Sequence, residues 1–114
     1  MTSLHNLTNG AVLATRARVA SGLVERVVGL LGRALLPDGE ALVIPHCRSI
    51  HTWFMRFPID VVFVSAGMVT KVVQALPPWR FSSCRDSDTV IELPAGTLST
   101  TFTRPGHHLS TEES

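Results

Sequence analysis

The side chains that chemistry uses are concentrated in one stretch, His46-Cys47-Arg48-Ser49-Ile50-His51-Thr52-Trp53-Phe54-Met55-Arg56-Phe57-Pro58-Ile59-Asp60. Asp60 is its most informative member. On a strand, Asp60, Val62 and Val64 share one face while Ile59, Val61 and Phe63 share the other. Both faces are then apolar, so an ionised carboxylate at the mouth of this strand needs a cation or several donors. Two readings stand: a structural carboxylate that takes backbone N–H groups or pairs with Arg56, or an acid or base on a pocket floor.

His51 can act as a general base or a ligand, or be a core-edge histidine bonded to a carbonyl. Thr52 reads as a β-former with a satisfied hydroxyl. Arg56 can grip an anion through both guanidinium arms or neutralise Asp60. Trp53, Phe54, Met55 and Phe57, with Trp79 and Phe81 later, suit the lining of a groove or of the core. Glu92, between Ile91 and Leu93, is a second carboxylate that could join Asp60. The candidate ligand site is therefore His51, Trp53, Arg56, Asp60 and Glu92, with no catalytic residue assigned.

His46, Cys47 and His51, with Cys84 from a later loop, are the weaker candidates for a metal site. Their spacing matches no zinc signature and there is no CxxC pair, so neither metal nor cofactor is expected. Cys47 and Cys84 are the only cysteines. They read as two unconnected thiols, with a single disulfide or a redox role as the alternatives. Cys47 and His51 would lie ~13 Å apart on a strand, so nucleophile and base could meet only across a turn. No GxSxG, P-loop or dinucleotide fingerprint is present.

The elements that must hold these residues are mostly short strands. Asn9-Gly10 signals a turn, and Ala11 to Val19 alternates as an amphipathic strand does. Leu23, Val27, Leu30 and Leu31 recur at helical spacing behind Ser21, predicting a short helix from Gly22 to about Leu31. Pro37-Asp38-Gly39 makes a turn before a strand at Glu40 to Ile44. Ile50 to Phe57 fits a strand or an extended loop. Ile59 to Val64 and Met68 to Leu76 predict a hairpin around Ser65-Ala66-Gly67. Trp79 to Ser87 reads as an irregular loop, Thr89 to Leu93 as a strand, Thr97 to Phe102 as a further strand, and Arg104-Pro105-Gly106 as a turn. The fold expected is mainly β: a compact antiparallel β-barrel or sandwich-like domain with one short helix in its amino-terminal half. Residues 1–114 form one domain in this reading, with polar, frayed ends at 1–8 and 110–114.

Bulk composition agrees with a globular chain: 45% of residues are hydrophobic and 17% charged. The net charge is +1 and Lys71 is the only lysine. The arginines are scattered, so no concentrated basic face is legible and no nucleic-acid partner is expected, although folding could gather Arg48, Arg56, Arg80 and Arg85. No apolar run reaches the ~18 residues of a membrane span, and no secretory signal is visible. The expectation is a cytoplasmic monomer whose partner is a small ligand or another protein.

Three blocks together are specific: Glu25-Arg26-Val27-Val28-Gly29-Leu30-Leu31-Gly32-Arg33, Ile50 through Phe63, and Val90-Ile91-Glu92-Leu93-Pro94-Ala95-Gly96. On them the chain resembles the DUF192 (UPF0127) family of small bacterial and archaeal domains, from about Ala11 to Leu109. The motif positions matched are Arg26, Gly29, Met55, Pro58, Asp60, Glu92 and Gly96. The resemblance implies a compact barrel or sandwich-like β domain with a short helix near its amino end. It implies no settled chemistry, so no role is carried over to any residue. Three departures stand out: Glu40-Ala41-Leu42-Val43 where many members start a strand with Gly-Met, Arg56 where lysine is frequent, and Gly106-His107 where Gly-Asp is common. Three functions remain open: a ligand-binding or accessory module with a polar and aromatic pocket around Asp60, a small metal- or acid/base-dependent enzyme using His51 and Asp60, or a structural protein-interaction domain.

Overall fold

The computed structural model describes residues 2–20, 36–53 and 55–113. The helix expected from Gly22 to Leu31 lies outside the described residues. Ten strands and one short helix occupy the remainder: β1 (Thr2–Asn6), β2 (Val12–Ala14), β3 (Arg16–Val19), β4 (Glu40–Pro45), β5 (Ser49–His51), β6 (Ile59–Ser65), β7 (Met68–Leu76), β8 (Phe81–Ser83), β9 (Thr89–Pro94), α1 (Thr97–Thr101) and β10 (Leu109–Glu113).

β6 organises the molecule. Ile59 through Val64 are all buried, as a strand apolar on both faces must be. It is flanked by β7 and β9 in a five-stranded sheet ordered β3-β4-β9-β6-β7. On one face Val62, Val64, Ile91 and Leu93 pack with Leu4, Leu13, Leu98 and Leu109, from the β10-β1-β2 sheet and α1. On the other, Ile59, Val61, Phe63 and Val90 pack with Leu42, Ile44, Ile50, Met55 and Leu76, beneath the two-stranded β5-β8 ribbon. The five-stranded sheet is therefore the middle layer of three. The alternation expected along 59–64 is the alternation found.

The hairpin at Ser65-Ala66-Gly67 forms as expected. Ala66 and Gly67 both have positive φ, 48° and 84°, the combination that a two-residue loop with the native strand twist requires.

Several expectations are corrected. Closure into an antiparallel barrel is not seen: β3 and β7 end the five-stranded sheet, and β3 runs parallel to β4. A parallel neighbour needs a crossover of a dozen residues or more, which the connection 20–39 supplies. The single strand expected over Ala11 to Val19 is split at Thr15 into β2 and β3, in different sheets. There the Thr15 and Arg16 N–H groups both donate to the Gly39 carbonyl, at 2.9 and 3.0 Å. The irregular loop expected at Trp79 to Ser87 contains β8, which pairs with β5.

Thr97 to Phe102, expected as a strand, is instead helical over Thr97–Thr101, and the Leu98 N–H of its first turn finds an acceptor outside the segment. The polar ends do not fray over the described residues: β1 and β10 pair from Thr2↔Glu113 to Asn6↔Leu109. Their anchors are buried Leu4, Asn6 and Leu109. The Asn6 Oδ1 accepts from the Thr8 and Asn9 N–H groups at 3.0 and 3.2 Å, shaping the Asn9-Gly10 turn.

Candidate functional site

Asp60 is 1% exposed and its two oxygens are occupied by backbone. Oδ1 accepts the Ala75 N–H at 2.8 Å. Oδ2 accepts the Gly96 N–H at 3.1 Å and the Leu98 N–H at 2.8 Å. The local backbone is shaped to deliver these donors. Opposite Asp60 the β6–β7 register slips, so that Gln74 and Ala75 face one residue. Such a bulge turns an N–H out of the ladder, and Ala75 makes the turn at φ 49°. On the other side the chain leaves β9 through Gly96, at φ 99°, and enters α1. Without Asp60, the buried Leu98 N–H in the first turn of α1 would lose its acceptor.

Asp60 and Glu92 are not brought together. Asp60 lies opposite Leu93, whereas Glu92 lies opposite Val61 on β6 and Leu42 on β4. Facing residues point to the same side of a sheet. The Glu92 side chain, 1% exposed, therefore lies on the face carrying Val61 and Leu42, and Asp60 on the face carrying Leu98.

His51 and Trp53 sit on the β5–β8 ribbon. Their rings stack at a centroid distance of 4.9 Å with a 37° tilt, and His51 Nδ1 is buried with no hydrogen-bond partner among the described residues. Arg56 is exposed, and Phe54 lies outside the described residues. Thr52, 0% exposed, ties the segment down. Its N–H donates to the Arg80 carbonyl at 2.8 Å, its carbonyl accepts from Trp79 at 3.0 Å, and its hydroxyl donates to the Pro77 carbonyl at 2.6 Å. The satisfied hydroxyl expected of Thr52 is present, but the residue is a clamp between two loops rather than part of a strand.

Cys47 and Cys84 are free thiols. Cys47 Sγ contacts the Ser49 carbonyl at 3.0 Å, and Cys84 Sγ lies 3.4 Å from the Thr70 hydroxyl. Among the described residues no three His, Cys, Asp or Glu side chains converge as metal ligands. The weaker metal set of His46, Cys47, His51 and Cys84 is thus not assembled.

Sequence reasoning missed a cleft of about 380 Å³ between β2, the Asp38-Gly39 turn and α1, lined by Val12, Leu13, Thr15, Asp38, Gly96, Thr97, Thr100 and Thr101 among others. Its signals were visible separately, as the Pro37-Asp38-Gly39 turn, the Pro94-Ala95-Gly96 turn and the run of threonines after it. Their proximity was not, since the segments are far apart in the chain. The hydroxyls of Thr97, Thr100 and Thr101 already donate to the carbonyls of Pro94, Thr97 and Thr97, at 2.8, 3.2 and 2.7 Å. Thr15 donates to the Gly39 carbonyl at 3.4 Å. Each oxygen keeps at least one lone pair for a ligand while its proton is engaged, Thr101 giving the other to the Thr103 hydroxyl at 2.8 Å. The cleft wall formed by Gly96 and α1 is the segment that Asp60 holds.

No helix among the described residues is long and apolar enough to cross a membrane. A UPF0127 protein from Pyrococcus furiosus is 29% identical over 112 residues, covering 91% of this chain and 93% of the relative. One from Thermococcus sibiricus is 28% identical over 100 residues, 83% of this chain and 65% of the relative. A solved structure of a protein of unknown function from Novosphingobium aromaticivorans superposes with a TM-score of 0.79 at 19% identity, over 96% of this chain and 82% of that one, which speaks for the fold. Residues 4–111 match the family described as DUF192, Uncharacterized ACR, so the chain belongs to the DUF192 family.

Proposed function

We propose that this domain is a small-ligand-binding module, and that its site is the cleft between β2, the Asp38-Gly39 turn and α1. The observation that carries the reading is the lining of that cleft. Its volume of about 380 Å³ falls in the range of small-molecule sites, and such sites combine an apolar floor with a few placed polar groups. Here Val12 and Leu13 supply apolar surface. The threonine oxygens and the Asp38 carboxylate supply acceptors, and the hydroxyl protons are spent on carbonyls. Acceptor-rich lining with a carboxylate suits a ligand that brings donors and positive charge, such as a primary ammonium or a guanidinium.

Asp60 serves this site indirectly, by fixing the Gly96 to Leu98 backbone that forms one wall. Three of the roughly four lone-pair directions of this carboxylate are taken by N–H groups and the residue is 1% exposed, which disfavours the acid/base reading. Free thiols at Cys47 and Cys84 suit a reducing, cytoplasmic setting.

The test is a titration with putrescine and with guanidinium, followed by amide chemical shifts. Shifts at Thr15, Gly39 and Gly96 to Thr101, weakened by Asp38→Asn, are expected. Acetate acting as strongly as the amines, or shifts that ignore Asp38→Asn, would overturn the reading.

A further inference from the structure

The β5–β8 ribbon carries surface that neither the core nor the cleft uses. Trp53, Trp79 and Phe81 are 49%, 57% and 64% exposed, unusual values for side chains of that apolar area. Backbone pairing brings their segments to one end of the ribbon. His51 is the ladder partner of Phe81 and its ring stacks on Trp53, while Thr52 holds the Trp79 backbone at 3.0 Å. Alternation sends Ile50 and Ser82 inward, both buried, and His51, Phe81, Ser49 and Ser83 outward.

The same pairing gathers arginines that are scattered along the chain. The Cys84 N–H donates to the Arg48 carbonyl at 2.9 Å, placing Arg48 beside Arg85, and the Thr52 N–H donates to the Arg80 carbonyl at 2.8 Å. Arg48, Arg56, Arg80 and Arg85 are all exposed. Lys71 reaches the ribbon edge through its 2.9 Å bond to the Ser83 carbonyl. The acidic groups nearby are Asp86, exposed beside Arg85, and Asp88, which accepts from the Ala66 N–H at 2.9 Å and the Thr89 hydroxyl at 2.8 Å.

We propose that the β5–β8 ribbon and the loops at its two ends bind single-stranded nucleic acid, with bases stacked on Trp53, Trp79 and Phe81 and phosphates held by the exposed arginines of those loops. Arg48 and Arg85 stand at one end, and Arg80, whose Nη1 lies 3.4 Å from the Trp79 carbonyl, at the other. Exposed π-faces interleaved with cations are the two components that single strands require, because every unpaired base offers a ring and every linkage a negative charge. A duplex hides its bases and gains only the charge component. An acidic peptide likewise leaves the row of rings unused. The short ribbon and its loops match a few nucleotides, and the site is separate from the α1 cleft.

The whole domain is titrated into fluorescein-labelled oligothymidylate and oligouridylate of about a dozen nucleotides, followed by anisotropy and by the emission of Trp53 and Trp79, the only tryptophans. Saturable binding that quenches this emission is expected. Affinity should fall from about 50 to about 200 mM salt with a log–log slope near −2, about −0.7 for each of three phosphates. Trp53→Ala and Phe81→Ala should each weaken binding about tenfold, Trp53→Phe should retain most of it, and Arg48→Gln with Arg85→Gln should flatten the slope. Arg16→Gln with Arg18→Gln, on β3, should change nothing. Unfolding of the alanine variants, read by circular dichroism, would leave Trp53→Phe and the arginine variants to decide. No binding by the intact protein, equal binding to duplex, equal displacement by an acidic peptide or polysaccharide, or binding indifferent to the ring and arginine variants would each overturn the proposal.

Discussion

The Asp60 carboxylate accepts the Leu98 N–H at 2.8 Å across 38 positions of sequence, so one side chain on the central strand decides the backbone of the last helix. A carboxylate engaged by N–H groups from two directions cannot be replaced by a neutral group without loss. In Asp60→Asn one acceptor becomes an NH₂ that confronts a donor, and stability should fall by about 2–4 kcal/mol. Asp60→Ala, which orphans the Ala75, Gly96 and Leu98 N–H groups, should fall further. Urea unfolding measures both, and an Asp60→Asn variant as stable as the parent would refute the account.

Two residues that face Asp60 should respond in opposite directions. Gly96 sits at φ 99° with nothing within 4 Å of a built Cβ, so Gly96→Ala meets no clash and reports backbone strain alone, a loss of about 1–2 kcal/mol. Ala75 sits at φ 49°, and Ala75→Gly should gain up to about 1 kcal/mol at the same kind of site. Thermal unfolding of the pair is the check; a loss for Ala75→Gly would mean that its left-handed turn is held without strain.

Thr52 should be sensitive to chemistry rather than volume. Thr52→Val keeps the shape but removes the hydroxyl that bonds to Pro77 and accepts from Arg80, at 2.6 and 2.9 Å. A loss of about 1–3 kcal/mol is expected, with a smaller one for Thr52→Ser. Release of the Trp79 loop should also make tryptophan emission more accessible to iodide. Equal stability of the valine and parent proteins would show that the clamp is dispensable.

Asp88 supplies a pH dependence. The Ala66 N–H and then the Thr89 hydroxyl hold its carboxyl below the ordinary 3.8, opposed by slight burial and helped by the charge of His46. A group depressed in the folded state contributes stability that is complete above its unfolded pKa and is lost as pH falls through its folded value. Because Asp88 is exposed, the contribution is screened and small. Asp88→Asn should therefore unfold at lower urea than the parent near neutral pH, with the gap closing as the pH drops below about 3.8. A gap that persists unchanged in acid would assign it to something other than ionisation.

Much of the central layer was legible in sequence. Ile59 to Val64 could only be a strand buried on two faces, and the turn at Ala66-Gly67 fixed its partner. The structural reading of Asp60, a carboxylate taking backbone N–H groups, was likewise open to view, although not which groups. What could not be read was placement through distant partners. Thr97 to Thr101 has the composition of a strand and is helical, with Asp60 accepting the Gly96 N–H just before it and the Leu98 N–H of its first turn. The cleft draws on residues near 12, 38 and 100, a proximity that no local pattern encodes. Glu92 and Asp60 seemed natural companions until the ladder, with Glu92 opposite Val61, put a sheet between them.

The pairing of β1 with β10, Thr2 against Glu113, also constrains how the domain is made. β1 has no neighbour on its outer edge until β10, about a hundred residues further along, has been made, so that edge stays open while the intervening sheet is synthesised. Closure of so long a loop comes late and slowly compared with the β6–β7 hairpin. The outer sheet is thus a latch that β10 sets after the middle layer has been made. Linking β10 directly to β1 and opening the chain at the Ala66-Gly67 turn would let the latch form first.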